Sequence, residues 1–174
     1  IAGPNEFDQI AADYSAILKD RAVMLAYIRR SLEIKQRIIE TDEFDRGIRN
    51  VMNLGHSFGH AIESATDFGI PHGIAVSIGM DMANFTAVKL GRMAESHFQR
   101  MHPALAANYR DYEETDVPLE RFLSAISKDK KNTDKALGLI LPDANGIPAR
   151  TECENDDRFK GVCADYFAGV RVMR

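Results

Sequence analysis

Residues 44–66 read FDRGIRNVMNLGHSFGHAIESAT, and the periodicity of this stretch decides the fold. Asp45, Arg49, Asn53, His56, His60 and Glu63 follow one another at spacings of 4, 4, 3, 4 and 3. At about 100° per residue these six fall within an arc of roughly 80° on a helix. Phe44, Ile48, Val51, Leu54, Phe58, Ala61, Ile62 and Ala65 fall on the opposite side. The spacing therefore predicts one amphipathic helix over 44–66. A solvated helix face carries Lys and Glu at loosely chosen positions. This face carries two imidazoles, a guanidinium, an amide and carboxylates. Gly55 and Gly59 beside them let a ligand or another backbone approach closely. That is the composition of a site wall.

On either side of this stretch the chain is mostly helical in pattern. Residues 5–19 and 20–39 carry apolar positions three and four apart, with Asp20 as an N-cap. Asp67-Phe68-Gly69-Ile70-Pro71 breaks the pattern. Residues 72–90 are apolar nearly all the way round, which predicts a buried central helix, closed by Gly91. Residues 94–109 and 118–126 are further amphipathic segments. The β signal comes late, as 136–141, a turn at Pro142-Asp143-Ala144-Asn145-Gly146, and 147–151. The fold class is mainly α: a multi-helix bundle with a small two-stranded β ribbon near the C-terminus, read as one domain over 1–174.

A chain of 174 residues is long enough to bury a core, and 45% hydrophobic with 28% charged residues is an ordinary globular balance. The net charge of −4 speaks against nucleic acid as a partner, because phosphate backbones need a basic surface. No run reaches the roughly 18 apolar residues of a membrane span. No charged-then-apolar signal segment opens the sequence, and Cys153 and Cys163 are too few for a disulfide framework. Free thiols in a reducing compartment, hence a cytoplasmic protein, are expected. The first residue is Ile1, so an excised or processed piece of a longer chain is expected.

Three places carry chemistry. His56 and His60, four apart, place their rings one above the other and suit a metal or an anion. His72 lies just past the Gly/Pro break, where a helix hairpin would bring it near His56, and a helix N-terminus favours its neutral form. Lys35 precedes the stripe in Ser31-Leu32-Glu33-Ile34-Lys35. Asp129-Lys130-Lys131-Asn132 forms a junction before the ribbon, where ammonium groups can meet a phosphate. His97 and His102 lie in a polar, charged region and read as surface histidines.

Asn53-Leu54-Gly55-His56-Ser57-Phe58-Gly59-His60-Ala61-Ile62-Glu63, followed by His72-Gly73 and Ala75-Val76-Ser77-Ile78-Gly79-Met80, closely resembles the helical C-terminal domain of 3-dehydroquinate synthase and its sugar-phosphate cyclase relatives. Ser31 to Lys35, Asp42-Glu43, Gly47-Ile48-Arg49 and Asp129-Lys130-Lys131 extend the match over most of the chain. The resemblance implies an NAD- and divalent-metal-dependent cyclase that eliminates phosphate from a seven-carbon keto sugar-acid phosphate and closes a carbocycle in the shikimate pathway. It implies zinc, or cobalt, on His56 and His72. His60 would sit with Arg49, Asn53 and Lys130 around the substrate phosphate, where bare spacing would have paired it with His56 on the metal. Lys35 and Asp45 would contact the hydroxyls or carboxylate of the substrate. A homodimer is expected for the full-length protein.

The sequence departs from the family pattern in three ways. It has no glycine-rich turn after a strand, so NAD is expected on an N-terminal domain outside this chain. It has no match to the upstream Glu that serves the family as third metal ligand. Ile74 stands where the family has Glu after the HG pair, and Asp45 also replaces a Glu. Two protein ligands are few for zinc, so the chain alone is expected to fold without catalysing, unless Asp45 or Glu63 completes the site. Two other functions fit the same residues: a sister cyclase such as a 2-deoxy-scyllo-inosose synthase, and a non-catalytic helical domain.

Overall fold

Asp20 shows how the first helices are set. Its side chain accepts from the backbone N–H of Ala22 at 2.7 Å and of Val23 at 3.3 Å, capping the second helix where the sequence predicts. The computed structural model describes residues 1–44, 47–128 and 135–171. They divide into two compact units, Ile1–Met52 and Asn53–Arg174. In the first, α1 (Pro4–Ile17) and α2 (Arg21–Thr41) form a hairpin. Polar ties hold the pair: Tyr27 Oη donates to Asp13 at 2.6 Å, and Arg30 pairs with Glu6. Neither helix has a buried residue.

The predicted single helix over 44–66 is broken. Ile48–Asn53 is a 3₁₀ turn, and α3 spans only His56–Ala65. Gly55 causes the break, with φ at +81°, a left-handed backbone that ends one helical run and opens the next. The common 100° step therefore does not carry from Arg49 to His56. Asp45 lies outside the described residues.

In the second unit α4 (His72–Lys89) is the central element. It packs on α3, on α5 (Glu95–Tyr109), on the first strand and on α7 (Asp157–Asp165). Ala75, Ile78, Met82, Ala83 and Ala87 are fully buried, as the all-round apolar pattern requires. Gly91 follows it with φ at +72°. Helix α6 (Leu119–Ser127) covers α3, with Phe58 and Phe122 stacked at 6.4 Å. Strands β1 (Ala136–Pro142) and β2 (Pro148–Glu154) pair antiparallel, Leu139 opposite Thr151. Asp143 holds the turn by accepting from the N–H groups of Asn145 and Ile147 at 2.9 and 3.0 Å. Helix α7 has no counterpart among the predicted segments. Its signal was there: Asp156 caps it, and Phe159, Val162, Cys163 and Tyr166 repeat at helical spacing on its buried side.

His102 corrects a second expectation. It is not a surface residue: its side chain is 18% exposed, and its Nδ1 donates to Asp81 at 2.9 Å. Asp81 is fully buried and also accepts from the hydroxyls of Tyr109 and Tyr166, each at 2.8 Å. One carboxylate thus ties α4 to α5 and to the turn after α7. The hydrogen bond to Asp81 holds the His102 imidazole above its ordinary value. A histidine whose folded pKa is raised lends stability that is full below the unfolded value of about 6.5 and is lost as pH rises through the folded value. Urea melts should therefore show the margin of the wild-type chain over His102→Asn shrinking as pH rises through the folded value. A margin that grows with pH would contradict the assignment.

Candidate metal and substrate site

The histidine motif becomes a site because α3 and α4 touch through glycines. A Cβ on Gly59 would stand 3.0 Å from the Val76 Cα, and one on Gly55 would stand 2.6 Å from the Met80 nitrogen. This close approach along the buried side of α3 sets His72, at the start of α4, beside the His56 and His60 rings. The rings of His56, His60 and His72 form a triangle with all three centroid separations at 5.7 Å. Two imidazoles on one tetrahedral zinc, each bound at about 2.0–2.1 Å, hold their centroids roughly 5 Å apart. Every side of the triangle is within reach of that value. Behind it stands Glu63, with both carboxylate oxygens 3.2 Å from the His72 Nδ1. Ligand atoms of His60, Glu63 and His72 lie within 4.8 Å of one another.

The electrostatics favour a neutral His56. Burial holds the His56 imidazole below its ordinary value, and its neighbours His60 and His72 add repulsion against a proton. A metal requires this deprotonated form. The His56 Nδ1 faces the Leu54 carbonyl at 3.4 Å, which leaves Nε2 for a ligand.

Of the residues singled out from sequence, Asn53, His56, His60 and His72 fall in the second unit, and the three imidazoles converge as the hairpin reading required. Arg49 and Lys35 fall in the first unit. Arg49 donates through a guanidinium N–H to the Glu43 carbonyl at 2.8 Å, and its backbone N–H donates to Asp42 at 3.0 Å. Lys35 is exposed on α2. Asp45 and Lys130 lie outside the described residues. The contact that sequence reasoning missed is Glu63 to His72, which joins two segments across the Gly/Pro break. Its sequence signal was a carboxylate ending the polar stripe among buried neighbours, since a buried carboxylate needs a donor.

The family model described as 3-dehydroquinate synthase C-terminal matches residues 1–132. The 3-dehydroquinate synthase of Dehalococcoides mccartyi is 37% identical over 148 residues, 84% of this chain and 41% of the relative. That of Wolinella succinogenes is 38% identical over 130 residues, 74% of this chain and 38% of the relative. The chain thus spans about two fifths of the length of these curated relatives. Among solved structures, 2-epi-5-epi-valiolone synthase from Streptomyces hygroscopicus subsp. jinggangensis 5008, with NAD+ and Zn2+ bound, aligns at a TM-score of 0.73. The alignment covers 93% of this chain and 46% of that one at 18% identity. A 2-deoxy-scyllo-inosose synthase complexed with carbaglucose-6-phosphate, NAD+ and Co2+ aligns at 0.57, with 23% identity over 71% of this chain and 36% of that one. At such identities the likeness to the solved structures is one of fold. No helix among the described residues is long and apolar enough to cross a membrane.

Proposed function

Because the chain belongs to the 3-dehydroquinate synthase C-terminal family, we propose that it is the metal- and substrate-binding part of a 3-dehydroquinate synthase-like cyclase, a phosphate-eliminating lyase. The observation that carries this reading is the triangle of imidazoles at 5.7 Å, backed by a buried carboxylate. His56 and His72 hold a divalent metal. When bound, such a metal supplies Lewis acidity that lowers the pKa of a substrate hydroxyl. His60 and Asn53 hold the substrate phosphate, and the family pattern adds Arg49 and Lys130 to it. An Arg fork with imidazole and amide donors suits a phosphate dianion, and a fixed phosphate can assist proton removal through its own oxygens. Lys35 and Asp45 are assigned to the remaining polar groups of the sugar acid by sequence pattern alone. NAD is bound by a nucleotide-binding domain outside this chain, in keeping with relatives about twice as long. The whole enzyme acts as a cytoplasmic homodimer.

A second reading has one observation in its favour. The ligand atoms of His60, Glu63 and His72 cluster within 4.8 Å, which would make His60 a metal ligand rather than a phosphate group. Calorimetric titration with zinc separates the two. With two protein ligands the wild-type chain should bind zinc weakly at a single site, His56→Ala should weaken that binding by a further tenfold or more, and His60→Ala should leave it within a factor of about three. Loss in His60→Ala with retention in His56→Ala would establish the second reading, and no uptake by the wild type would remove both. Phosphate release from the keto sugar-acid phosphate with added NAD and zinc should stay at background for this chain alone.

A further inference from the structure

We infer that Glu63 is a positioning residue for His72, fixing its tautomer and ring so that Nε2 is the nitrogen presented to the metal. This rests on the reading above, in which His72 is a ligand. The Glu63 side chain is 11% exposed, whereas His72 is 56% exposed and stands at the first position of α4. A ring that open to water has little packing to hold its rotamer, so its orientation depends on its hydrogen bonds. Both Glu63 oxygens are 3.2 Å from Nδ1. A carboxylate only accepts, so Nδ1 carries the proton and the lone pair is left on Nε2.

The arrangement also explains a carboxylate buried among apolar residues. Among the described residues the hydrogen-bond partner of the Glu63 side chain is His72, which sits nine residues further along the chain. Glu63 lies between Ile62 and Ala65, which are buried in the core, so it is held by a rigid helix rather than by a loop. The side chain of Ile74, near His72 in sequence, has no acceptor to offer. A ligating histidine held by a carboxylate on its other nitrogen is oriented and made more basic, and loss of such a partner typically weakens metal binding about 10- to 100-fold.

The test begins without any substitution. In the zinc-free, ¹⁵N-histidine-labelled chain, at a pH where the ring is neutral, long-range ¹H–¹⁵N spectra should show His72 protonated on Nδ1. An imidazole in water prefers the proton on Nε2, so that tautomer in the wild type would overturn the inference. In Glu63→Ala the ring should revert to Nε2–H, and zinc affinity should fall about 10- to 100-fold. Glu63→Gln keeps an accepting oxygen, so it should retain the Nδ1–H tautomer and recover most of the affinity. Unchanged tautomer and affinity in Glu63→Ala would refute the role. X-ray absorption on the zinc-loaded chain guards against the alternative: one oxygen fewer on zinc in Glu63→Ala would make Glu63 a ligand and overturn positioning. A wild type with Nδ1–H that takes up no zinc would sink the metal reading alone.

Discussion

Gly79→Ala is expected to destroy the packing of α3 on α4 and the histidine triangle with it. A methyl group at this position would fall inside contact distance of the Gly55 carbonyl oxygen and lie 2.8 Å from the Gly59 nitrogen. Both are backbone atoms, so no rotamer change relieves the clash and the helices must separate. Overpacking of a core costs about 1–3 kcal/mol where side chains can yield, and more is expected where they cannot. Urea unfolding should show a loss of at least about 3 kcal/mol, and zinc uptake should fall in parallel because His56 and His60 move away from His72. Gly73→Ala is the control. Nothing lies within 4 Å of its added methyl, and alanine in the first turn of α4 should be neutral or stabilise by up to about 1 kcal/mol. Equal stability of the two variants would show that the glycine contact is not what sets the distance between α3 and α4.

Asp81→Ala carries the other large effect. The wild-type carboxylate receives hydrogen bonds from His102, Tyr109 and Tyr166 in a fully buried position. Truncation leaves two hydroxyls and an imidazole facing a dry cavity with nothing to accept their protons. Breaking one side of a buried charged pair costs about 3–5 kcal/mol, because the groups left behind lose their compensation. The loss should appear in chemical unfolding, while zinc uptake by the folded fraction should persist, since Asp81 lies two and a half turns along α4 from His72. A loss below about 1 kcal/mol would mean that water reaches the network and replaces the carboxylate.

The helical periodicity of α2, α4, α5 and α6, the Asp20 cap and the Gly91 stop could be read directly, because each depends on neighbours within one or two turns. The long stripe over 44–66 misled for a local reason of its own. Side-chain periodicity assumes one helical screw, and Gly55 at φ +81° interrupts the screw while leaving the pattern intact. Helix α7 was passed over because its apolar residues are few and its capping Asp156 sits among other acidic residues.

His102 illustrates a different boundary. It follows the polar stretch from Glu95 to Arg100, so local composition assigned it to the surface, yet its partner is 21 residues away on another helix. The same holds for Glu63 and His72. A buried carboxylate announces that it needs a donor, and Asp81 in an apolar helix announces it plainly, but the sequence does not say which donor arrives.

The mainly helical class, the late two-stranded ribbon, the family and the histidines of the candidate site were all legible in the chain of residues alone. These follow from period, turn chemistry and a motif, all of which are encoded within short windows of chain. Packing in three dimensions is what sets His56, His60 and His72 equally far apart, places Glu63 behind His72 and gives Asp81 three donors. Such pairings depend on how closely two helices approach. Here that distance is set by glycine backbones packed against each other, a quantity that no period along one helix records.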